Sequence, residues 1–165
     1  MSAKIQRMRA EAFSGQGYGS LRYNLFKNAG HHIEKSIREG YFCEAIAVTE
    51  SVITDRLESR LSYLQQKNVG FQNLGPAVKY LQSCETDATI IAILADLDRW
   101  REKRNTALHE LVKIDAGKPK SEWVERIQLL SSTANEGYEL LKKLYHSVAD
   151  LNPHHVSRAF ERSTG

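Results

Sequence analysis

Apolar residues recur every three or four positions along four long segments of this chain, and none of these segments alternates apolar and polar residues as a half-buried strand does. A spacing of three and four places side chains on one side of an α-helix. The three prolines, at positions 76, 119 and 153, fall where the helical patterns have already stopped. The sequence therefore predicts an all-α fold.

Capping residues and glycines indicate where the first helices begin and end. Ser20 is a suitable cap for a helix over residues 21–39, and Gly40 suits the C-terminal end of that helix. A second helix is predicted from near Tyr41 to Leu64, followed by the loop sequence NVGFQNLGP. The residues after this loop, AVKYLQS, predict a short helix.

Two more long helices complete the predicted fold. Thr86 or Asp87 can cap the third long helix, and Ser121 can cap the last one, which ends at Asn152-Pro153. We expect the last helix to face inward with Trp123, Ile127, Leu130, Tyr138, Leu141, Leu144 and Val148.

These helices divide the chain into three parts. Residues 20–150 are predicted to form one antiparallel bundle of four main helices plus the short helix. Residues 1–19 are expected to be a partly flexible N-terminal segment, and residues 151–165 a basic C-terminal tail. With 165 residues, 41% of them hydrophobic, the chain is long enough to bury a core.

Charge and composition narrow the class of protein. A net charge of +3 permits an anionic partner but does not require one. No apolar run is long enough to cross a membrane, and the N-terminus MSAKIQRMRAEAF has no apolar core of a secretory signal. Cys43 and Cys84 lack CxxC spacing, which argues against a zinc site or a disulfide framework. We therefore expect a cytoplasmic protein.

The third long helix carries a cation on its apolar stripe. Steps of three and four give positions 90, 93, 97, 100, 104, 108 and 111, and each is Ile, Leu or Trp except Arg104. Because a buried unpaired guanidinium is very costly, this side chain must be paired, or must line a cleft or a subunit seam. Glu50, at the edge of the apolar stripe of the second helix, is the predicted partner of Arg104.

A polar stripe lies beside the apolar one. Arg101, Asn105 and His109 follow one another at four-residue spacing. Arg104 and His109 point about 140° apart on an ideal helix, so one straight helix does not easily aim both at a single small ligand. A twofold-related copy of the helix would bring two such sets together, which favours a homodimer.

The sequence Arg104-Asn105-Thr106-Ala107-Leu108-His109 resembles the R-x4–6-H motif of the HEPN superfamily, including the frequent polar residue directly after the arginine. The flanking sequence EKRNTALHEL is similar to the end of the third helix of many HEPN proteins, and EAIAVTESVITDRLESRL is similar to their second helix. The resemblance implies a bundle that dimerises so that two motifs line a shared cleft. Many HEPN proteins are metal-independent endoribonucleases that act as toxins or as antiviral defence effectors.

These residue types suit RNA cleavage. RNA supplies its own nucleophile, the 2′-OH, so the protein needs a proton-transfer group near neutral pH, which His109 offers. Arg104 supplies a planar cation for the phosphate, and Asn105 can orient the histidine or a phosphate oxygen. The expected products are a 2′,3′-cyclic phosphate and a 5′-hydroxyl. No metal or cofactor is expected, because the sequence has no HExxH motif, carboxylate cluster or phosphate-binding glycine loop.

Other interpretations stay open at this stage. Some HEPN proteins bind nucleotides or partner proteins without cutting, and an arginine on a helical stripe is often only salt-bridged. A plain helical dimer is a third reading. A toxin of this kind would have a cognate antitoxin or regulatory protein as a partner.

The remaining candidates have simpler explanations. Surface or helix-end roles are expected for His31, His32 and His146, and a solvated tail for His154, His155, Arg158 and Arg162. The two tryptophans, Trp100 and Trp123, are predicted to be core anchors.

Overall fold

The computed structural model describes residues 18–67, 69–114, 116–117 and 121–151. These residues contain no strand and form five helices, which are α1 (Tyr18–Glu39), α2 (Phe42–Gln65), α3 (Leu74–Cys84), α4 (Ala88–His109) and α5 (Trp123–Leu151). The prediction of an all-α fold with four long helices and one short helix is therefore confirmed over this part of the chain. Asn152-Pro153 and the four polar tail residues singled out above lie outside it.

Two of the predicted caps are present. Gly40 follows α1 with φ +83°, its N–H donates to the Ile37 carbonyl, and the N–H of Tyr41 donates to the Ser36 carbonyl. This is the hydrogen-bond pattern that ends a helix on a left-handed glycine. Asp87 caps α4, because its carboxylate accepts a 2.9 Å hydrogen bond from the Ile90 N–H.

Two helices begin earlier than predicted. α1 already includes Tyr18 and Gly19, so Ser20 lies inside the helix and is not its cap. Serine is only mildly unfavourable inside a helix and does not stop one. α3 begins at Leu74, which places Pro76 in its first turn, where the absent N–H has no partner within the helix.

The last helix begins two residues after its predicted cap. Ser121 instead accepts a 3.0 Å hydrogen bond at Oγ from Nε of Arg126. The N–H of Glu122, directly before α5, donates to Oε2 of Glu125 at 3.0 Å. This reach of an acidic side chain back to the residue before the helix is half of a capping box.

α2 lies at the centre of the bundle and packs against α1, α3 and α5. α4 packs against α3 and α5. Arg60 near the end of α2 contacts Glu85 just before α4, while Glu50 near the start of α2 contacts Arg104 near the end of α4. α2 and α4 are therefore antiparallel.

Trp100 anchors α4 to α5. The side chain is fully buried, and its Nε1 donates a 2.8 Å hydrogen bond to the carbonyl of Thr133 on α5. The indole packs so closely on α5 that a Cβ at Gly137 would lie 2.5 Å from Cζ2 of the ring. The prediction that Trp100 is a core anchor is confirmed.

Replacement of Gly137 by alanine is expected to lower the free energy of unfolding by about 1–3 kcal/mol, because the rigid indole or the helix must move. Urea unfolding measures this change. Gly75→Ala on α3 is the control, since a Cβ there would lie 3.5 Å from Cδ of Arg101, an ordinary contact. Equal losses in the two variants would contradict the close packing of α4 on α5.

Trp123 is not a core residue, contrary to the prediction. Its side chain is 58% exposed. Arg126, one turn later, contacts the carbonyls of Glu110 and Leu111, which follow the end of α4. The first turn of α5 therefore extends past the end of α4, where no described helix covers the indole.

A buried ion pair joins α2 to the start of α4. Nε and Nη2 of Arg60 donate to the two carboxylate oxygens of Glu85 at 2.7 Å and 2.9 Å, and the Glu85 side chain is 0% exposed. Oε1 of Glu85 also accepts from the N–H groups of Thr86 and Asp87. The Arg60 hydrogen bonds, assisted by these backbone N–H groups, lower the pKa of Glu85 to about 2.

A second buried arginine is held by aromatic rings. The Arg56 guanidinium on α2 lies 4.3 Å from the ring centroid of Phe26 on α1 and 4.2 Å from that of Tyr145 on α5. Its Nε has no hydrogen-bond partner among the residues that the structure describes, and burial lowers the pKa of this arginine. Cation–π contacts therefore join three helices at this level of the bundle.

Candidate functional site

Arg104 lies on the inner side of α4, one helical turn after Trp100. Its side chain is 15% exposed, and Nη2 donates a 2.5 Å hydrogen bond to Oε1 of Glu50 on α2, which is 28% exposed. The ion pair predicted from the sequence is therefore present. It explains how a charged side chain can lie on an otherwise apolar stripe.

Two buried polar atoms, one on Arg104 and one next to Glu50 in sequence, have no hydrogen-bond partner among the described residues. Nε of Arg104 is buried and has no hydrogen-bond partner among the described residues. Oγ1 of Thr49, the residue before Glu50, is also buried and finds no hydrogen-bond partner in the described part of the chain. Buried polar atoms are usually hydrogen-bonded, so both atoms are exceptions within the described residues, as is Nε of Arg56.

Replacement of Glu50 by alanine is expected to lower the free energy of unfolding by about 1–3 kcal/mol, because Arg104 would keep its burial and lose its counter-charge. Thermal unfolding measures the loss. Glu44→Ala on the same helix is the matched control, since Glu44 is 52% exposed and pairs with the exposed His32. A Glu50 variant as stable as the Glu44 variant would contradict a structural role for the Glu50–Arg104 pair.

The polar stripe of α4 lies beside Arg104. Nε of Arg101 donates to Oδ1 of Asp98 at 2.9 Å, so this arginine is engaged on its own helix. Asn105 is half-buried and makes no side-chain hydrogen bond to a described residue. His109 is exposed and is the last residue of α4.

The structure does not bring the side chains of Arg104 and His109 together within the chain. No hydrogen bond joins the two side chains, and five residues along a regular helix separate their directions by about 140°. Arg104 points toward α2, whereas the imidazole of His109 reaches the surface. A single chain therefore presents two separate halves of the motif.

Arg126 of α5 holds the chain that follows His109. Its Nη1 donates to the carbonyls of Glu110, Leu111 and Lys113 at 2.6, 2.9 and 2.8 Å. These carbonyls lie beyond the end of α4, where backbone acceptors have no partner within the helix. The guanidinium thereby fixes the turn directly after His109.

A cavity of about 440 Å³ lies beside this turn, between the end of α4 and the first turns of α5. The described residues that line it are Thr106, Ala107, Glu110, Leu111, Lys113, Ile114, Ala116, Ser121, Arg126 and Leu129. Its walls combine aliphatic side chains with hydroxyl, carboxylate and cationic groups. Neither Arg104 nor His109 is among the lining residues.

The other histidines in the described part of the chain occupy ordinary positions. His31 and His32 are both exposed on α1, and Nε2 of His32 lies 2.6 Å from Oε1 of Glu44. His146 is exposed on α5 and packs edge-on against the Tyr145 ring at 6.1 Å between centroids. The surface roles predicted for His31 and His32 are confirmed.

Two further features concern the part of the chain that the structure describes. No group of three or more histidine, cysteine, aspartate or glutamate side chains is arranged there to hold a metal ion. None of its helices is both long and apolar enough to cross a bilayer.

Sequence reasoning missed Arg126 and the Arg60–Glu85 pair. The acceptors of Arg126 are backbone carbonyls, and because every residue has one, the sequence does not indicate which of them it contacts. Glu85 lies two residues before the Asp87 cap, and apart from that cap it carries the only carboxylate in the sequence between α2 and α4, which is the one signal that could have identified it.

The chain was compared with models of protein families, with curated proteins and with solved structures, and no match was found in any of the three.

Proposed function

We propose that this protein is a homodimeric, metal-independent endoribonuclease of the HEPN type, with Arg104 and His109 acting on an RNA phosphate. The observation that carries the proposal is the placement of the R-x4-H residues. Arg104 is held at 15% exposure by Glu50, and His109 ends the same helix at the surface. An ordinary salt-bridged arginine would not require a histidine five residues later.

The chemistry follows from these two groups. An imidazole can accept the proton of the RNA 2′-OH as that oxygen attacks the phosphorus, and an imidazolium can protonate the departing 5′-oxygen. The guanidinium of Arg104 has five N–H donors, and the Glu50 contact engages Nη2 alone, which leaves donors for a phosphate oxygen. Asn105 can donate to the same phosphate or orient the imidazole.

A homodimer completes the proposed site. Because one α4 aims Arg104 and His109 in different directions, a twofold axis close to the end of α4 is needed to place His109 of one protomer near Arg104 of the other. Two imidazoles in one cleft can then act as base and acid. In this reading the substrate is cytoplasmic RNA, and a cognate antitoxin or regulatory protein controls the enzyme.

A second candidate function is a HEPN-like module that binds a nucleotide or a protein without chemistry. One observation favours it, namely that His109 has no hydrogen-bond partner among the described residues that would fix its tautomer. This module would bind through Arg104, and binding would survive His109→Ala.

The wild-type protein is expected to cleave labelled RNA in the presence of EDTA, because the proposed reaction uses no metal. The products should carry 2′,3′-cyclic phosphate and 5′-hydroxyl ends, which gel mobility before and after phosphatase or kinase treatment distinguishes. Cleavage that stops on addition of EDTA and returns with a divalent ion would contradict the mechanism.

A further inference from the structure

The cavity beside the His109 turn has the mixed chemistry of a ligand site. Its volume of about 440 Å³ lies in the usual range for small-molecule pockets. Leu111, Ile114 and Leu129 supply aliphatic wall, and Arg126 supplies a cation. A ligand that fits must combine an apolar body with hydrogen-bonding groups at its edge.

We propose that this cavity receives one unstacked base of single-stranded RNA. The choice of RNA rests on the proposed function, whereas the chemistry of the cavity stands on its own. A nucleobase has two apolar faces and an edge that carries both donors and acceptors. Aliphatic side chains cover such faces, and polar side chains at the rim read the edge.

The polar groups suited to the base edge are Arg126, Ser121 and Thr106. Nε and Nη1 of Arg126 are engaged by Ser121 and by backbone carbonyls, so the guanidinium is fixed in place. Nη2 of Arg126 makes no hydrogen bond to a described residue and provides a positioned donor. The hydroxyls of Ser121 and Thr106 can donate as well as accept.

The position of the cavity connects it to the proposed catalytic residues. Thr106 and Glu110 line the cavity and lie on either side of His109 in sequence, while His109 itself is exposed and is not among the lining residues. Because α4 ends at His109, an RNA strand can pass over the end of the helix. One nucleotide then occupies the cavity as a neighbouring phosphate reaches His109.

Calorimetric titration of the full chain carrying His109→Ala tests the inference, because binding to the cavity is then measured without the proposed proton-transfer group. Uridine and adenosine 5′-monophosphates are the probes, and inorganic phosphate is the ligand without a base. At least one nucleotide should bind with a Kd of about 1 mM or tighter, and phosphate at least about tenfold more weakly.

Thr106→Trp narrows the cavity from an exposed helical position and should weaken nucleotide binding by about tenfold or more. Ala95→Trp is the matched control, because Ala95 is exposed on the same helix three turns earlier and should leave binding within about twofold. Equal weakening by both substitutions would overturn the inference, as would equal affinity for phosphate.

The two proposals fail in different ways. RNA cleavage by the wild-type chain without nucleotide binding to the His109→Ala chain would overturn the base site alone. Nucleotide binding without any cleavage would support the base site and overturn the proposed nuclease. If Thr106→Trp left nucleotide binding intact and converted a dimer to a monomer, the cavity would belong to a subunit interface and the base site would be rejected.

Discussion

RNA cleavage by the His109→Ala variant is expected to fall by about 100-fold or more, because the imidazole is the proposed proton-transfer group. His109 is exposed, ends α4, and makes no hydrogen bond to a described residue, so the variant should unfold at nearly the wild-type temperature. The cleavage rate of a labelled RNA and the thermal unfolding temperature are measured on the same preparation of each protein.

His146→Ala is the matched control for this experiment. His146 is also exposed on a helix, and its replacement should leave cleavage unchanged. A parallel test in a bacterial host compares growth on expression of the intact chain and of the His109 variant, with arrest expected for the intact chain alone. Equal cleavage by the wild type and both variants would remove His109 from the mechanism.

The largest loss of stability is expected from Arg60→Ala, by about 3–5 kcal/mol, because it leaves the Glu85 carboxylate buried and unpaired. Glu85 is 0% exposed and Arg60 is 7% exposed, so bulk water has little access to the carboxylate that loses its partner. Urea unfolding at neutral pH measures the change. Arg99→Ala is the control, since the Arg99 side chain of the Arg99–Asp96 pair is 75% exposed and its loss should cost less than about 1 kcal/mol.

The Arg60–Glu85 pair also makes the stability of the fold depend on pH in the acid range. The pKa of Glu85 is lowered from 4.5 to about 2 in the folded protein. Its contribution is therefore present above pH 4.5 and is lost as the pH falls toward 2, because the unfolded state takes up the proton first. Glu85→Gln should flatten the stability profile over this interval, and an unchanged slope would contradict the assignment.

The regular parts of the fold follow directly from the sequence. Apolar residues that recur with a period of 3.6 predicted the helices. The start of α4 at Asp87 and the end of α1 at Gly40 could also be predicted, because capping depends on residues that are close in sequence. The Glu50–Arg104 pair could also be predicted, since Arg104 interrupts one apolar stripe, Glu50 lies at the edge of another, and a buried charge requires a partner.

The features that the sequence did not predict depend on how the helices are placed relative to one another. The exposure of Trp123 is set by the level at which α4 ends beside α5, which no local pattern encodes. Arg60 looks like an ordinary surface cation in sequence and becomes buried because α2 is the central helix, with neighbours on three sides. The Arg126 contacts depend on backbone carbonyls that lie just beyond the end of α4 at His109 and therefore take no part in the hydrogen bonds of that helix.

Added salt is expected to weaken the exposed ion pairs of this bundle more than its buried charge contacts. Dissolved salt screens exposed charge pairs such as Arg99–Asp96. The Arg56 guanidinium is instead clasped between the Phe26 and Tyr145 rings at 8% exposure, where counter-ions have little access. The contact that joins α1, α2 and α5 should therefore remain at a salt concentration that weakens the exposed ion pairs.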